Sequence, residues 1–343
     1  MNSINSSVEK WCKIQTIPPY ESLCSLVNDV IEILENEICE YRPAADTKKV
    51  NDSAPGSLLE FNDNLPVIIV PDIHARPEFI LNILKFKIPK RYGVHNSVIT
   101  VKTALQRGLI NLVCVGDAIH TEKTALRWEE IQKDFNDGII AGKSMMKEMT
   151  SCLSALCALI QLKLNYPKHF HFLKGNHENI LNVTQNGDYA FCKYADEGRM
   201  VRDFIRQEYG DDVLYLISCY ENLLPLIAVG KSCVVSHAEP AKVFTRSELI
   251  NARKNSQTIY SLIWTRNGDV KDNTVVPIME NLFGKENAKN SFYFGGHRPV
   301  KEKYELRQNG KYIQIHNPAE QNIAIVTGKT IFNPEQDIIG VKK

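Results

Sequence analysis

The sequence predicts an α/β layered protein, and two observations carry that expectation. Short apolar runs rich in Val and Ile, "LPVIIVPDIH" at 65–74, "GLINLVCVGDAIH" at 108–120 and "KHFHFLKGNHEN" at 168–179, alternate with longer stretches of helical spacing. Strands separated by helices build a sheet covered by helices. Toward the C-terminus the helices thin out, and "CVVSHAEP", "SFYFGGHRPV", "EKYELRQNGKYIQIH" and "NIAIVTGKTIF" read as strands joined by turns. Asn309-Gly310 gives a hairpin signal, so the second half is expected to be the more antiparallel.

Taken in order, "PPYESLCSLVNDVIEILENEICEY" has apolar residues at helical spacing, and "RPAADTKKVNDSAPGS" is turn- and linker-like. Residues 1–64 are therefore read as a helical extension and linker, which either packs on the main unit or serves a partner. The main unit is expected over 65–332, with a short tail at 333–343. Between the second and third strands lies an insert of about 121–168, which reads as one long helix or two consecutive ones. Its apolar "CLSALCALIQL" implies at least partial burial, as a cap over a site or as added packing.

Composition narrows the class. The 343 residues are 43% hydrophobic and 24% charged, and 41 basic against 40 acidic residues leave a formal charge of +1. No global field favours nucleic acid or an anionic membrane. The N-terminal "MNSINSSVEKWCKIQTIPP" lacks an apolar run of signal-peptide length, and other apolar stretches are strand-sized or interrupted, so a soluble cytoplasmic protein is expected. Nine cysteines without a CxxC pair fit free thiols in a reducing compartment rather than a zinc ribbon.

The strand-like runs end alike. Asp72 and His74 follow "VIIV", Asp117 follows "LVCVG", Asn176 and His177 follow "FHFLKG", His237 follows "CVVS", and His297 follows "FYFGG". In α/β sheets, ligands gather outside the carboxyl ends of the strands, so these five ends would converge. Aspartate, histidine and an Asn carbonyl suit Mn, Fe or Zn, and the absence of cysteine argues against a structural zinc site. Two cations roughly 3.5–4 Å apart need a bridging carboxylate, for which Asp117 is placed, and such a pair supports phosphoester hydrolysis by in-line attack. A lone Asp or His at a strand end is more often a cap or surface group, but five matching ends make coincidence small. His95, His169, His171 and His316 lack this context and are read as structural or surface residues.

The series Asp72-x-His74, Gly116-Asp117, Gly175-Asn176-His177-Glu178, His237 and Gly296-His297 resembles the calcineurin-like metallophosphoesterase superfamily over about residues 65–332. "DIH", "LKGNHE", "HAEP" and "GGHRP" look most like the phosphoprotein phosphatase branch and its bacterial relatives. The resemblance implies a four-layer α/β/β/α sandwich and two divalent metals. Asp72 and His74 would hold the first metal, Asp117 would bridge, and Asn176, His237 and His297 would hold the second. His177 would be the general acid, with Glu178 in support. It implies phosphomonoester hydrolysis with a phosphorylated protein or small molecule as substrate, phosphoprotein being one plausible class. The same chemistry on a nucleotide or dinucleoside polyphosphate is the alternative, and a metal-binding scaffold without turnover is a third reading.

The chain also departs from the branch. Where its motif reads "GDxVDRG", this sequence reads "GDAIHTE": His120 replaces the aspartate that orients the catalytic histidine, and Thr121 replaces a phosphate-binding arginine. His120 would then contact phosphate, orient His177 by another hydrogen bond, or be a helix-capping or surface histidine. Pro299 stands where other branches carry a second histidine. Arg266 in "SLIWTRNGD" is the candidate phosphate fork, while Arg76, Lys174 and Arg298 adjoin motif residues as surface charges or supporting groups.

Overall fold

A computed structural model of the chain describes residues 4–46, 54–122, 125–270 and 273–342. Two mixed sheets lie face to face. One has five strands in the spatial order Ile338–Gly340, Asn322–Val326, Val67–Val70, Asn111–Cys114, Phe170–Phe172. The other has six, in the order Leu58–Glu60, Ile227–Gly230, Cys233–Ser236, Phe292–Gly295, Tyr312–Gln314, Glu305–Arg307.

Period-two alternation makes the layers. In the strand Val67–Val70, Val67 and Ile69 face the space between the sheets, where they join Val113, Val115, Val235, Phe294 and Ile313. Ile68 and Val70 face outward into a helical layer that includes Phe79, Leu153, Leu156 and Phe204. The second sheet turns Ile227, Val229, Val234 and Tyr293 outward against Leu249, Leu262, Ile278 and Met279. Three apolar layers between four structural ones give the α/β/β/α sandwich.

The strands Val67–Val70, Asn111–Cys114 and Phe170–Phe172 pair in parallel, so their carboxyl ends point one way. In the second sheet, Phe292–Gly295 is parallel to both Cys233–Ser236 and Tyr312–Gln314. The antiparallel pairs expected in this half are present, including the hairpin Glu305–Arg307 with Tyr312–Gln314. The strands that carry site residues are nevertheless parallel to one another. Leu58–Glu60, inside the stretch read as an extension, pairs with Ile227–Val229, and Ile338–Gly340, inside the stretch read as a tail, pairs with Asn322–Ala324. Both flanking segments thus lay down edge strands.

The insert forms two helices, Ala125–Asn136 and Lys143–Asn165. The second is apolar on several faces, and most of its residues from Met145 to Lys163 are buried. It packs on Ile4–Trp11, Tyr20–Glu35 and Pro77–Lys85. A buried charge cluster fastens the N-terminal segment there. Glu37 pairs with Arg42 and, at 2.5 Å, with Lys163, whose ammonium also donates to the Pro167 carbonyl at 2.7 Å. No helix among the described residues is long and apolar enough to cross a membrane.

Candidate active site

The loops leaving the parallel strands bend back sharply so that short side chains face one another. His74, Asp117, His120 and His297 have φ of 44°, 54°, 66° and 61°, the left-handed region that non-glycine residues occupy only at a cost, and one often found at functional sites. Two glycines allow the approach. A Cβ at Gly175 would overlap Asp117 Oδ1, and a Cβ at Gly296 would overlap Asp72 Oδ1.

Ring tautomers follow from the outer hydrogen bonds. His74 Nδ1 lies 3.0 Å from the His120 carbonyl and must donate to it, leaving Nε2 bare. That nitrogen faces Asp117 Oδ2 and Glu122 Oε2, each at 3.6 Å, and Asp72 Oδ2 at 3.8 Å. His237 Nδ1 likewise donates to the Val115 carbonyl at 3.1 Å, leaving its Nε2 bare 2.9 Å from Asn176 Oδ1 and 3.5 Å from Asp117 Oδ2. His297 Nδ1 completes that group, 2.9 Å from Asn176 Oδ1 and 3.2 Å from His237 Nε2. Acceptor-rich nitrogen and oxygen atoms thus crowd together at buried positions, an arrangement that bound cations would satisfy. Asp72 Oδ1 is also buried without a hydrogen-bond partner among the described residues.

Charges respond accordingly. Burial lowers His74 to about 4 and His297 to about 3, so these imidazoles are neutral and available as ligands. Burial raises Asp72 to about 6 and lifts Asp117 well above the ordinary carboxylate range, with Asp72 as its next cause. Gathered carboxylates are costly here without a counter-charge.

Six sequence-derived candidates, Asp72, His74, Asp117, Asn176, His237 and His297, meet at this place. His177 lies beside them: its backbone N–H donates to Asp117 Oδ1 at 3.1 Å, and its Nε2 is 3.6 Å from Asp117 Oδ2. His120 is buried, and its Nδ1 is 2.7 Å from His177 Nδ1. It therefore bonds to the ring that the aspartate of related motifs would orient. Phe191 packs on the His177 ring at a centroid distance of 3.6 Å and stacks on His120 at 5.1 Å.

Glu178 is the keystone of the loops. Its carboxylate accepts from the backbone N–H groups of Asp117, Ala118 and Gly175 at 2.9, 2.8 and 2.7 Å. Arg76 is buried and braces the first loop, donating to the carbonyls of Asp72 and Ile73 at 2.6 and 2.9 Å and to those of Pro318 and Glu320 at 3.3 and 3.4 Å. Lys174 is also buried, capping the Glu178 carbonyl and pairing with Asp188 at 3.1 Å. Neither is a surface charge.

The donor atoms open into a cavity of about 260 Å³ lined by Trp128, His177, Phe191, Lys193, Trp264 and Arg266, among others. Arg266 and Arg298 are exposed at its mouth. Two further contributors lie outside the strand ends marked in the sequence. His316, read as structural or surface, is buried with Nδ1 3.5 Å from Asp72 Oδ2, and it forms a possible cation-holding group with Asp72 and His74. It sits two residues beyond Tyr312–Gln314, as His297 sits two beyond Phe292–Gly295, so the strand-end rule would have reached it. Glu122 Oε2 is 2.7 Å from His316 Nε2.

No family model matches the chain. Among solved structures it is similar to a protein serine/threonine phosphatase from Saccharomyces cerevisiae with similarity to human phosphatase PP5. That match has 14% identity over 94% of this chain and 89% of that one, with a TM-score of 0.56. A cold-active protein-tyrosine phosphatase of a psychrophilic Shewanella species aligns over 87% of this chain and 89% of that one at 12% identity, with a TM-score of 0.38. The likeness to the yeast phosphatase is one of fold, and the chain shares its mixed α/β architecture.

Proposed function

We propose that the chain is a metal-dependent phosphoric ester hydrolase acting on phosphomonoesters, with a phosphorylated protein or small molecule as substrate. The observation that carries this reading is the convergence of bare, buried acceptor atoms from Asp72, His74, Asp117, Asn176, His237 and His297 beside a cavity rimmed by cations. That donor set fits two divalent ions of the Mn, Fe or Zn type, which these six residues would hold. Such ions, when bound, polarise a phosphoryl group and activate water.

The chain's own groups divide the remaining work. A hydrogen bond joins His120 Nδ1 and His177 Nδ1, which fixes the ring and directs Nε2 toward the reacting centre; a neutral His177 that accepts at Nδ1 from His120 carries its proton on Nε2, the position from which it reaches the leaving oxygen. Phe191, packed at a tilt against that ring, limits its rotation and keeps water from the face it covers. Arg266 and Arg298 at the mouth supply guanidinium forks for phosphate oxygens, and Lys193 supplies an ammonium. His120, engaged with His177, acts through that residue rather than on phosphate.

Hydrolysis of p-nitrophenyl phosphate with Mn²⁺, and again after chelation, tests the reading directly. A folded protein with no metal-dependent turnover refutes it. His177→Ala is expected to keep metal and lose about 10²–10⁴-fold in kcat, whereas Asp117→Asn loses both metal and activity. If His177→Ala strips the metal, the assigned roles are wrong. Comparing phosphopeptides with nucleotides then identifies the substrate class.

A further inference from the structure

Glu122 stands at the position where the related motif "GDxVDRG" ends in glycine, and it carries a carboxylate into the first metal's side of the site. Its side chain is 11% exposed. Oε2 accepts from His316 Nε2 at 2.7 Å and faces His74 Nε2 at 3.6 Å, while Oε1 lies 3.5 Å from Lys193 Nζ at the cavity wall. The consequence for His316 is specific. A neutral imidazole that donates from Nε2 has its lone pair on Nδ1. That Nδ1 is buried, has no hydrogen-bond partner among the described residues, and lies 3.5 Å from Asp72 Oδ2. Without the carboxylate nothing would fix this tautomer, and a proton on Nδ1 would block the lone pair.

We propose that Glu122 is a positioning residue for the first metal. It holds His316 in the Nε2–H form, so that Nδ1 joins Asp72, His74 and Asp117 as a further protein ligand. The arrangement is a carboxylate–histidine–metal relay, in which the outer carboxylate sets ring orientation and raises the basicity of the ligating nitrogen. His316 thereby supplies the imidazole that Pro299 cannot, from the end of a different strand. The charge balance follows: three carboxylates, Asp72, Asp117 and Glu122, surround the first position, while only the shared Asp117 serves the second beside neutral Asn176, His237 and His297. The first position therefore binds its ion more tightly and releases it later on chelation.

This inference rests on the two-metal reading, and the test separates the two. Calorimetric titration of the metal-free full-length protein with Mn²⁺ should show two steps in the wild type. Binding of no ion, or of one, refutes the two-metal reading before any variant is made, and the inference falls with it. Given two steps, Glu122→Ala and His316→Gln should each weaken the tighter one by about 10–100-fold and leave the weaker one in place. Glu122→Gln keeps an acceptor for Nε2–H and should lose less than Glu122→Ala. Long-range ¹H–¹⁵N spectra of the histidine-labelled metal-free protein give a second readout: the His316 ring should be the Nε2–H tautomer in the wild type and in Glu122→Gln. An Nδ1–H tautomer in the wild type overturns the proposal, as does a Glu122→Ala protein that binds both ions with wild-type affinity. Should Glu122→Ala fail to fold, the wild-type spectrum and the Glu122→Gln titration decide.

Discussion

Replacing Glu178 with Gln exchanges one oxygen for an NH₂ group and removes a charge, yet touches none of the metal-ligating atoms. The wild-type carboxylate accepts from Gly175 N and Asp117 N through Oε2, at 2.7 and 2.9 Å, and from Ala118 N through Oε1, at 2.8 Å. Hydrogen bonds to a charged partner contribute about 1.5–3 kcal/mol each. The best Gln rotamer keeps its carbonyl on the two donors at the Oε2 position and sets its NH₂ against the Ala118 N–H. One bond is lost, two are weakened, and a buried donor is orphaned, so a loss of about 2–4 kcal/mol follows. The damage is also local. Asp117 sits at φ 54° under this tether, and its Oδ1 receives the His177 N–H at 3.1 Å, so the proposed bridge and proton donor loosen together. Metal affinity should fall about 10–100-fold, as for other groups that orient ligands from outside. Urea unfolding in chelator reads the stability change, and Mn²⁺ calorimetry reads the affinity. A stability change below about 0.5 kcal/mol with unaltered affinity would show that Glu178 does not hold the loops, and would refute the reasoning.

Two further predictions concern groups on either side of that loop. Burial pushes the Glu37 carboxyl up, but Lys163 and then Arg42 outweigh it and hold it at about 2 against an ordinary 4.5. A depressed folded-state value means stability present above pH 4.5 and lost as pH falls toward 2, about 3 kcal/mol in all. Denaturant unfolding between pH 6 and 2 should show this loss in the wild type and a flattened dependence in Glu37→Gln. The second prediction is that His120→Asp places a carboxylate acceptor opposite His177 Nδ1. It should retain turnover and move the basic limb of the kcat profile to higher pH, because a carboxylate stabilises the imidazolium that a neutral imidazole does not. His120→Ala should lower kcat while two ions still bind; an unchanged profile in both variants would mean that His120 does not orient His177.

The five strand ends are legible in the sequence because each apolar run stops within a few residues of a polar ligand, and the parallel sheet brings such ends together whatever the loops do. His316 follows the same rule. The Asn309-Gly310 turn marks its strand as a hairpin return, and the sequence does not show that Tyr312–Gln314 is also parallel to Phe292–Gly295. Contacts across long stretches of chain leave no such trace: Glu178 reaches back 60 residues to Ala118, and Glu122 reaches forward 194 to His316. The most instructive case joins two features that look unrelated in sequence, the missing arginine at position 121 and the long insert. Thr121 donates from its backbone N–H and its hydroxyl to the two oxygens of Glu148, at 2.8 and 2.6 Å, and the His120 N–H points to Cys152 Sγ at 3.4 Å. Both acceptors lie on the helix Lys143–Asn165, and Glu148 is fully buried with Arg127 as its ion partner at 2.8 Å. An arginine at position 121 would need that space and would lose the bonds that set His120 against His177. The motif departure and the inserted helix therefore meet in one place: the insert supplies the acceptors that hold the altered loop.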